Sequence, residues 1–286
     1  MRPALLAIVF ILLTEAAIGD QPWMLYSVRT TRALPNVPSK TYIEPIALVM
    51  PRSRNSVEFT KPPAANQASD YYRLDDTFNV VRGGTPSGTV TVLAADNNTC
   101  EPIERLVQRS GKAAQKWRSA DAIAGQSVKV RRRASALRAP SGAEDQELIA
   151  VVRRIFALKA VPDHALAHIT SENLVATDLN GDGRIDFIGS FSVRDPRNTH
   201  NLFVIVMRDG GGALRTDVIR YDRSLNARDD SGAKNWTLVD VEDFDGDGID
   251  EIIVENHGWE WGSYDILRMK READWQVVYS GGGSGC

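Results

Sequence analysis

The chain is short of cysteine, with two in 286 residues, so at most one disulfide can form within it. After the first twenty residues no apolar run reaches membrane-spanning length, which takes about 20 consecutive apolar positions. The glycine signatures of phosphate loops and dinucleotide folds are missing. So is G-x-S-x-G, because the glycine cluster at the end would need glycine where Cys286 stands. His164 and His168 lie at i and i+4 in "HALAH", yet Ala165 occupies the place where a zinc-protease helix carries glutamate. With no third ligand evident, the pair reads as surface histidines. The basic stretch "KVRRRASALRAPSG" (129–142) contains no aromatic residue on which a base could stack, and reads as an exposed loop or strand.

What is present is an ordinary globular composition, 43% hydrophobic and 25% charged, with a net charge of -3. That small net value hides an asymmetry. Residues 101–160 carry 13 Lys/Arg against 6 Asp/Glu, whereas residues 161–286 carry 12 against 23. An acidic half of this kind suits a cation binder and argues against a nucleic-acid partner, whose footprint would be basic. At the N-terminus, Arg2, the apolar Ala4–Leu13 and a small-x-small site at Ala17–Gly19 read as a signal peptide over 1–19. No cysteine follows the cleavage site, so a lipoprotein anchor is not indicated. The expected location is secreted or periplasmic, with no membrane span after signal removal. In an oxidising compartment Cys100 and Cys286 are most simply read as one disulfide.

Residues 20–140 form an N-terminal region that is proline-rich as far as about residue 68. "YIEPIALVM" (42–50) reads as a strand that Pro45 confines to an edge or an interruption. "FNVVRGGTPSGTVTVLAAD" (78–96) reads as two strands, and "EPIERLVQRSG" (101–111) as a short helix with proline in its first turn. A linking helical segment is expected over 141–170. Its Ser141 and Glu144 fit a capping box, and its apolar stripe runs Leu148, Val151, Val152, Ile155, Phe156, Lys159 until Pro162 stops it. From 171 to 286 short apolar strands take over. The expected fold class is therefore mainly β with one or two helices (α+β).

Within that last region "DLNGDGRIDF" (178–187) recurs as "DFDGDGIDEI" (243–252), 65 residues later, each copy framed by a strand before it and a strand and hairpin after it. A hard cation such as calcium needs six to eight oxygens converging in a short loop, and glycines let the backbone curl so that alternate positions point inward. The first loop offers Asp178, Asn180, Asp182 and Asp186 at positions 1, 3, 5 and 9, with the Arg184 carbonyl at 7. The second offers Asp243, Asp245, Asp247 and Glu251, with the Ile249 carbonyl. An EF-hand would close the site with glutamate at position 12, where Gly189 and Val254 stand, and its flanks would be helical. A plain Asx-Gly turn explains one copy but not two copies that share an acid at position 9. An all-oxygen loop favours calcium over magnesium or zinc.

These loops and their apolar flanks resemble the calcium-binding repeats of the FG-GAP and VCBS type, found in integrin-alpha-like propellers and many exported bacterial proteins. The resemblance spans about residues 172–280. It implies two propeller-blade-like four-stranded repeats with calcium between the first two strands of each. Two copies are visible where a closed propeller needs at least four, and no FG or GAP signature accompanies them; either degenerate blades lie upstream or the repeats form an open two-repeat sandwich, and the sandwich is the favoured expectation.

One further segment, "ENHGWEWGSYD" (255–265), gathers Glu255, His257, Trp259, Glu260, Trp261 and Tyr264. Acids and aromatics at a strand end suit a ligand contact, while paired carboxylates beside tryptophan would suit glycoside hydrolysis. The leading expectation is an exported, non-enzymatic calcium-binding β-repeat protein with a structural, recognition or adhesion role toward a protein or glycan. The alternative is an exported hydrolase acting on a polysaccharide or envelope component. An open carboxylate pair at 255–265 would favour the enzyme, and a closed apolar cluster the scaffold.

Overall fold

Alternation of apolar and polar positions dominates the chain and is realised as strands. The computed structural model describes residues 21–30, 40–53, 56–63, 71–94, 105–110, 122–125, 136–225, 234–258, 261–272 and 274–283. Among these, fifteen strands and two helices form a mainly β structure of antiparallel sheets. The expected signal segment 1–19, Cys100, Cys286, Trp259 and Glu260 lie outside the described residues.

The N-terminal part contributes β1 (Trp23–Thr30), β2 (Thr41–Ser53), β3 (Ser56–Thr60), β4 (Thr77–Arg82), β5 (Thr85–Ala94), β6 (Arg105–Ser110) and β7 (Ala122–Gly125). Their order is β1-β7-β4-β5-β6-β2-β3, and β1 also pairs with β2. Six strands thus close on themselves as an antiparallel barrel, leaving β3 outside the ring on β2. The long β2 serves three neighbours because residues 41–43 pair with β6 while its second half pairs with β3. Pro45 is accommodated at a register shift: Tyr26 faces Pro45, Leu25 faces Ala47, and Ile46 is skipped. The interruption expected there is a bulge inside a ring strand.

The short helix expected over 101–111 is not what the described part of that segment adopts. Residues 105–110 are β6, paired with β5 on one side and β2 on the other. Helix-end signals stabilise only a helix long enough to persist, and a segment as short as 101–111 is marginal without a packed face. Two open strand edges supply the backbone partners instead, and Val107 is buried in the barrel.

Helix α1 (Gly142–Leu158) forms where its caps place it. The Ser141 N–H donates to Glu144 Oε2 at 2.7 Å and the Glu144 N–H to Ser141 Oγ at 3.4 Å, while Arg138 grips Glu144 through two 2.7 Å bonds. Leu148, Val152, Ile155 and Phe156 form its buried stripe. Lys159, at the end of the expected stripe, is exposed. After α2 (Asp163–Leu166) the chain enters two successive meanders. The first is β8 (Thr170–Thr177), β9 (Asp186–Arg194), β10 (Asn198–Arg208) and β11 (Leu214–Leu225). The second is β12 (Asn235–Glu242), β13 (Glu251–His257), β14 (Gly262–Arg271) and β15 (Asp274–Gly281).

Side-chain alternation then stacks the layers. Phe187, Leu202, Val204 and Val206 face α1. From the opposite face of that meander Val175, Ile188, Phe203 and Ile205 meet Leu238, Val241, Ile252, Val254 and Leu267 of the second. The far face of the second meander presents Val239, Ile253, Tyr264 and Ile266 to Leu25, Ile46, Val49 and Ile123 on the outside of the barrel. Helix, meander, meander and barrel thus form one continuous stack, in which each fully buried aliphatic or aromatic side chain contributes about 1.5–3 kcal/mol by leaving water. Polar groups fasten the last junction: the Gly83 and Gly84 N–H groups of the β4–β5 turn donate to Asp240 Oδ1 (2.8 Å) and Glu242 Oε1 (2.6 Å) on β12.

Candidate metal centre

Each acidic loop joins the first and second strands of its meander: 178–185 between β8 and β9, and 243–250 between β12 and β13. Glycines at equivalent places, Gly181 and Gly183 in one and Gly246 and Gly248 in the other, take positive φ between 73° and 90°, a conformation costly for any residue with a Cβ. That curl turns backbone N–H groups inward onto the position-1 aspartate. Asp178 accepts from Asp182 at 3.1 Å and Gly183 at 2.8 Å, and Asp243 accepts from Gly246 and from Gly248 (3.2 Å).

The position-9 acids open their strands and hold the loop entrance. Asp186 Oδ2 accepts the Leu179 N–H at 3.0 Å, and Glu251 Oε2 the Phe244 N–H at 3.0 Å. Their second oxygens differ. Asp186 Oδ1 accepts the backbone N–H of Arg208 at 2.8 Å, whereas Glu251 Oε1 accepts from the Arg268 guanidinium. Burial pushes the Asp186 carboxyl up to about 6. Burial pushes Glu251 upward as well, with Arg268 pulling against it.

The two loops also differ in what sits over their carboxylates. In the second, Asp243, Asp245 and Asp247 each bring an oxygen within 4.8 Å of the others, the only such group of three among the described residues. Burial, then the charge of Asp247, raises the pKa of Asp245, and the Arg268 guanidinium approaches Asp245 at 3.4 Å. The oxygens that accept N–H bonds keep lone pairs, so this hard, all-oxygen set fits a metal ion. In the first loop Asn180 replaces one carboxylate, and the Arg184 guanidinium lies on Asp182 at 2.6 Å. Partial burial raises Asp182, but the Arg184 N–H, Asn180 and the guanidinium outweigh it and leave its pKa lowered. Position 7 of the second loop is Ile249, whose side chain packs at the margin of the inter-meander core and whose N–H donates to Asp247 at 2.8 Å.

The loops lie side by side. The Asp250 N–H donates to Leu179 O at 3.0 Å, and a Cβ placed on Gly181 would meet Gly248 O at 3.2 Å. Neither this contact nor Arg268 is legible in the loops themselves. Arg268 becomes visible only through strand register: Ile252 faces Leu267, which brings Arg268 opposite Glu251 across the hairpin.

At 255–265 the described residues close up. Glu255 is buried beside Tyr264, which is itself fully buried and donates to the Glu44 carboxylate of β2. His257 ends β13 half-buried, and Trp261, 43% exposed, folds over Gly258. His164 and His168 are exposed on and just beyond α2. No protein-family model, curated protein or solved structure matches the chain.

Proposed function

We propose that this chain is an exported calcium-binding β-repeat protein of the FG-GAP/VCBS type, in which the ion rigidifies the meanders for a structural, recognition or adhesion role toward a protein or glycan. The observation that carries the reading is the Asp243, Asp245, Asp247 trio on a loop whose sequence and glycine geometry recur in the preceding meander. In each loop calcium would take the first-, third- and fifth-position side chains, with the seventh-position carbonyls of Arg184 and Ile249 and the acids Asp186 and Glu251 as further oxygens. Its chemistry there is countercharge: it relieves the mutual repulsion of crowded carboxylates and cross-links the loop. The non-enzymatic role is supported over the hydrolase by the burial of Glu255 and Tyr264 within the stack, where a polysaccharide could not reach them.

The test is thermal unfolding of the mature protein in EDTA and in graded calcium. Binding that favours the folded state stabilises by about 2.7 kcal/mol at a hundredfold excess over Kd; an unchanged melting curve would remove the reading. A disulfide between Cys100 and Cys286 belongs to the same proposal. Gly282 packs on Pro45 and Ile46 of β2, and Arg105 pairs with Ile43 three residues away, so the segments leading to both cysteines approach one stretch of strand. Non-reducing peptide mapping at low pH should find the linked pair, and alkylatable thiols in the exported protein would count against it.

A further inference from the structure

At the end of β9 opposite the first acidic loop, the β9–β10 turn and the strands after it bring three side chains into one hydrogen-bonded line. His200 on β10 is 2% exposed. Its Nε2 lies 3.0 Å from Asp195 Oδ2 and its Nδ1 lies 2.7 Å from the hydroxyl of Tyr221 on β11. The polarity of the line follows from Asp195. Burial raises that carboxyl, but bonds from His200, from the Asn198 side chain and from the Arg197 and Asn198 N–H groups hold it far below the usual range. An ionised carboxylate can only accept. In neutral His200 the Nε2–H therefore donates to Asp195, which leaves Nδ1 as the acceptor of the Tyr221 O–H. Nucleophile, base and an orienting carboxylate within hydrogen-bond reach of one another are the signature of an activated hydroxyl.

Two cations stand beside the phenol. Lys159 Nζ lies 5.4 Å from the centre of the Tyr221 ring, and Arg223, on the same face of β11, acts on the phenol electrostatically. Lys159 and Arg223 are exposed and Tyr221 is half-buried, so the phenol sits at the rim of the first meander. We propose that Tyr221 is a nucleophile, activated by His200 and Asp195, that accepts an acyl group from a donor with an anionic leaving group, such as an acyl phosphate. The Tyr221 proton passes to His200 Nδ1 as the phenol oxygen forms a bond to the acyl carbon. The carbon–oxygen bond to phosphate then breaks, phosphate leaves with the electron pair between Lys159 and Arg223, and it takes the proton from His200. The products are O-acyl-Tyr221 and hydrogen phosphate. Burial raises the phenol above its ordinary pKa, so attack requires the imidazole to remove the proton and is not the work of free phenolate. This assignment is independent of calcium.

The probe is acetyl phosphate, applied to the purified full chain and followed by peptide mass spectrometry. The expected product is an acetyl group on Tyr221, removed by hydroxylamine as an aryl ester should be, whereas acetylated lysines resist. Loss of a general base typically slows such a step about 10²-fold or more. His200→Gln and Asp195→Asn should each slow labelling of Tyr221 on that scale while lysine acetylation stays constant, and Tyr221→Phe should abolish the hydroxylamine-sensitive product. Circular dichroism establishes that each variant is folded, and Asp195→Asn, which keeps the shape of the side chain, decides the matter if His200→Gln is not. Labelling confined to lysines, a phosphoryl group on Tyr221, or an acetylation rate at Tyr221 equal in folded Asp195→Asn and wild-type protein would each overturn the proposal. A purely structural cross-strand network would lower the melting temperature of these variants and leave the labelling rate where it was.

Discussion

The loops at 178–185 and 243–250 share a backbone and differ in charge. Both curl on glycines at the same two places, both turn N–H groups onto a first aspartate, and both are held at the entrance by the acid that opens the next strand. Yet the second brings three carboxylates together, while the first has an asparagine among its side chains and carries its own cation in Arg184. Position 7 makes most of the difference. Its carbonyl is the expected ligand, so the side chain there is free to vary, and arginine in place of isoleucine lets the chain neutralise part of its own site. A repeated pattern therefore fixes loop geometry more strictly than it fixes affinity. Calcium at the second loop should be the tighter and the more strongly coupled to stability.

The largest effect should come from the cation that contacts the second loop. Arg268 contacts Glu251, approaches Asp245 and reaches Val57 O on β3, whereas in the first loop the equivalent acid is met by backbone N–H groups. Removing one partner of a buried pair typically costs 3–5 kcal/mol. Arg268→Met should therefore destabilise the calcium-free protein by about 3 kcal/mol, and Glu251→Gln added to it should restore part of the loss. Urea unfolding in EDTA measures both. An Arg268→Met protein as stable as wild type would mean that the second loop needs no countercharge, and the contrast between the loops would lose its electrostatic basis.

Next in size are the aspartates. Asp247→Ala should remove most of the calcium-dependent rise in melting temperature, and Asp182→Ala only a minor part, because Arg184 already occupies Asp182. Isothermal titration of the two variants separates the sites; equal losses would erase the distinction. Arg184→Ile then converts the first loop toward the second. Freed of an exposed ion pair worth about 1 kcal/mol at most, the first loop should bind calcium up to about fivefold more tightly. An unchanged or weakened first-site affinity would show that the guanidinium does not compete with the metal.

Much of this was legible because it is local. The loop residues, the strands on either side, the Gly-rich β10–β11 turn and the Ser141–Glu144 cap all follow from short-range spacing, and strand, acidic loop, strand, hairpin is the order found in both meanders. What escaped depends on distant partners. The segment 101–111 carries helix-end signals, but its residues 105–110 become β6 because two earlier strands, β2 about 60 residues upstream and β5 a dozen or more residues upstream, offer their edges and complete a barrel. The barrel itself is set by β1 pairing with both β2 and β7, a closure that no local pattern announces. Likewise His200 looks like any lone histidine in "RNTHNLF" until register brings Tyr221 and Asp195 to it. The charge asymmetry of the C-terminal half is the basis for expecting a cation binder, but it does not reveal that Arg184 and Arg268 contact the two loops so differently.

The loops also separate by pH. Burial raises the folded-state pKa of Asp186 to about 6, above the roughly 3.9 of an unfolded aspartate. A raised acid binds its proton more tightly when folded, so its contribution to stability is fully present below about pH 4 and is lost as the pH climbs through about 6. In calcium-free protein, stability should therefore decline across that window, and Asp186→Asn, which cannot ionise, should flatten the decline. Calcium reverses the sign at this site, because the ion requires the carboxylate: first-loop affinity should weaken as the pH falls through about 6. Unfolding midpoints in EDTA between pH 4 and 7, beside calcium titrations of an Asp247→Ala background in which the first loop dominates, read the two halves separately. If Asp186→Asn leaves the EDTA profile unchanged, the neutral form is not favoured in the fold, and the two N–H bonds from Leu179 and Arg208 hold the carboxylate ionised without help from a metal.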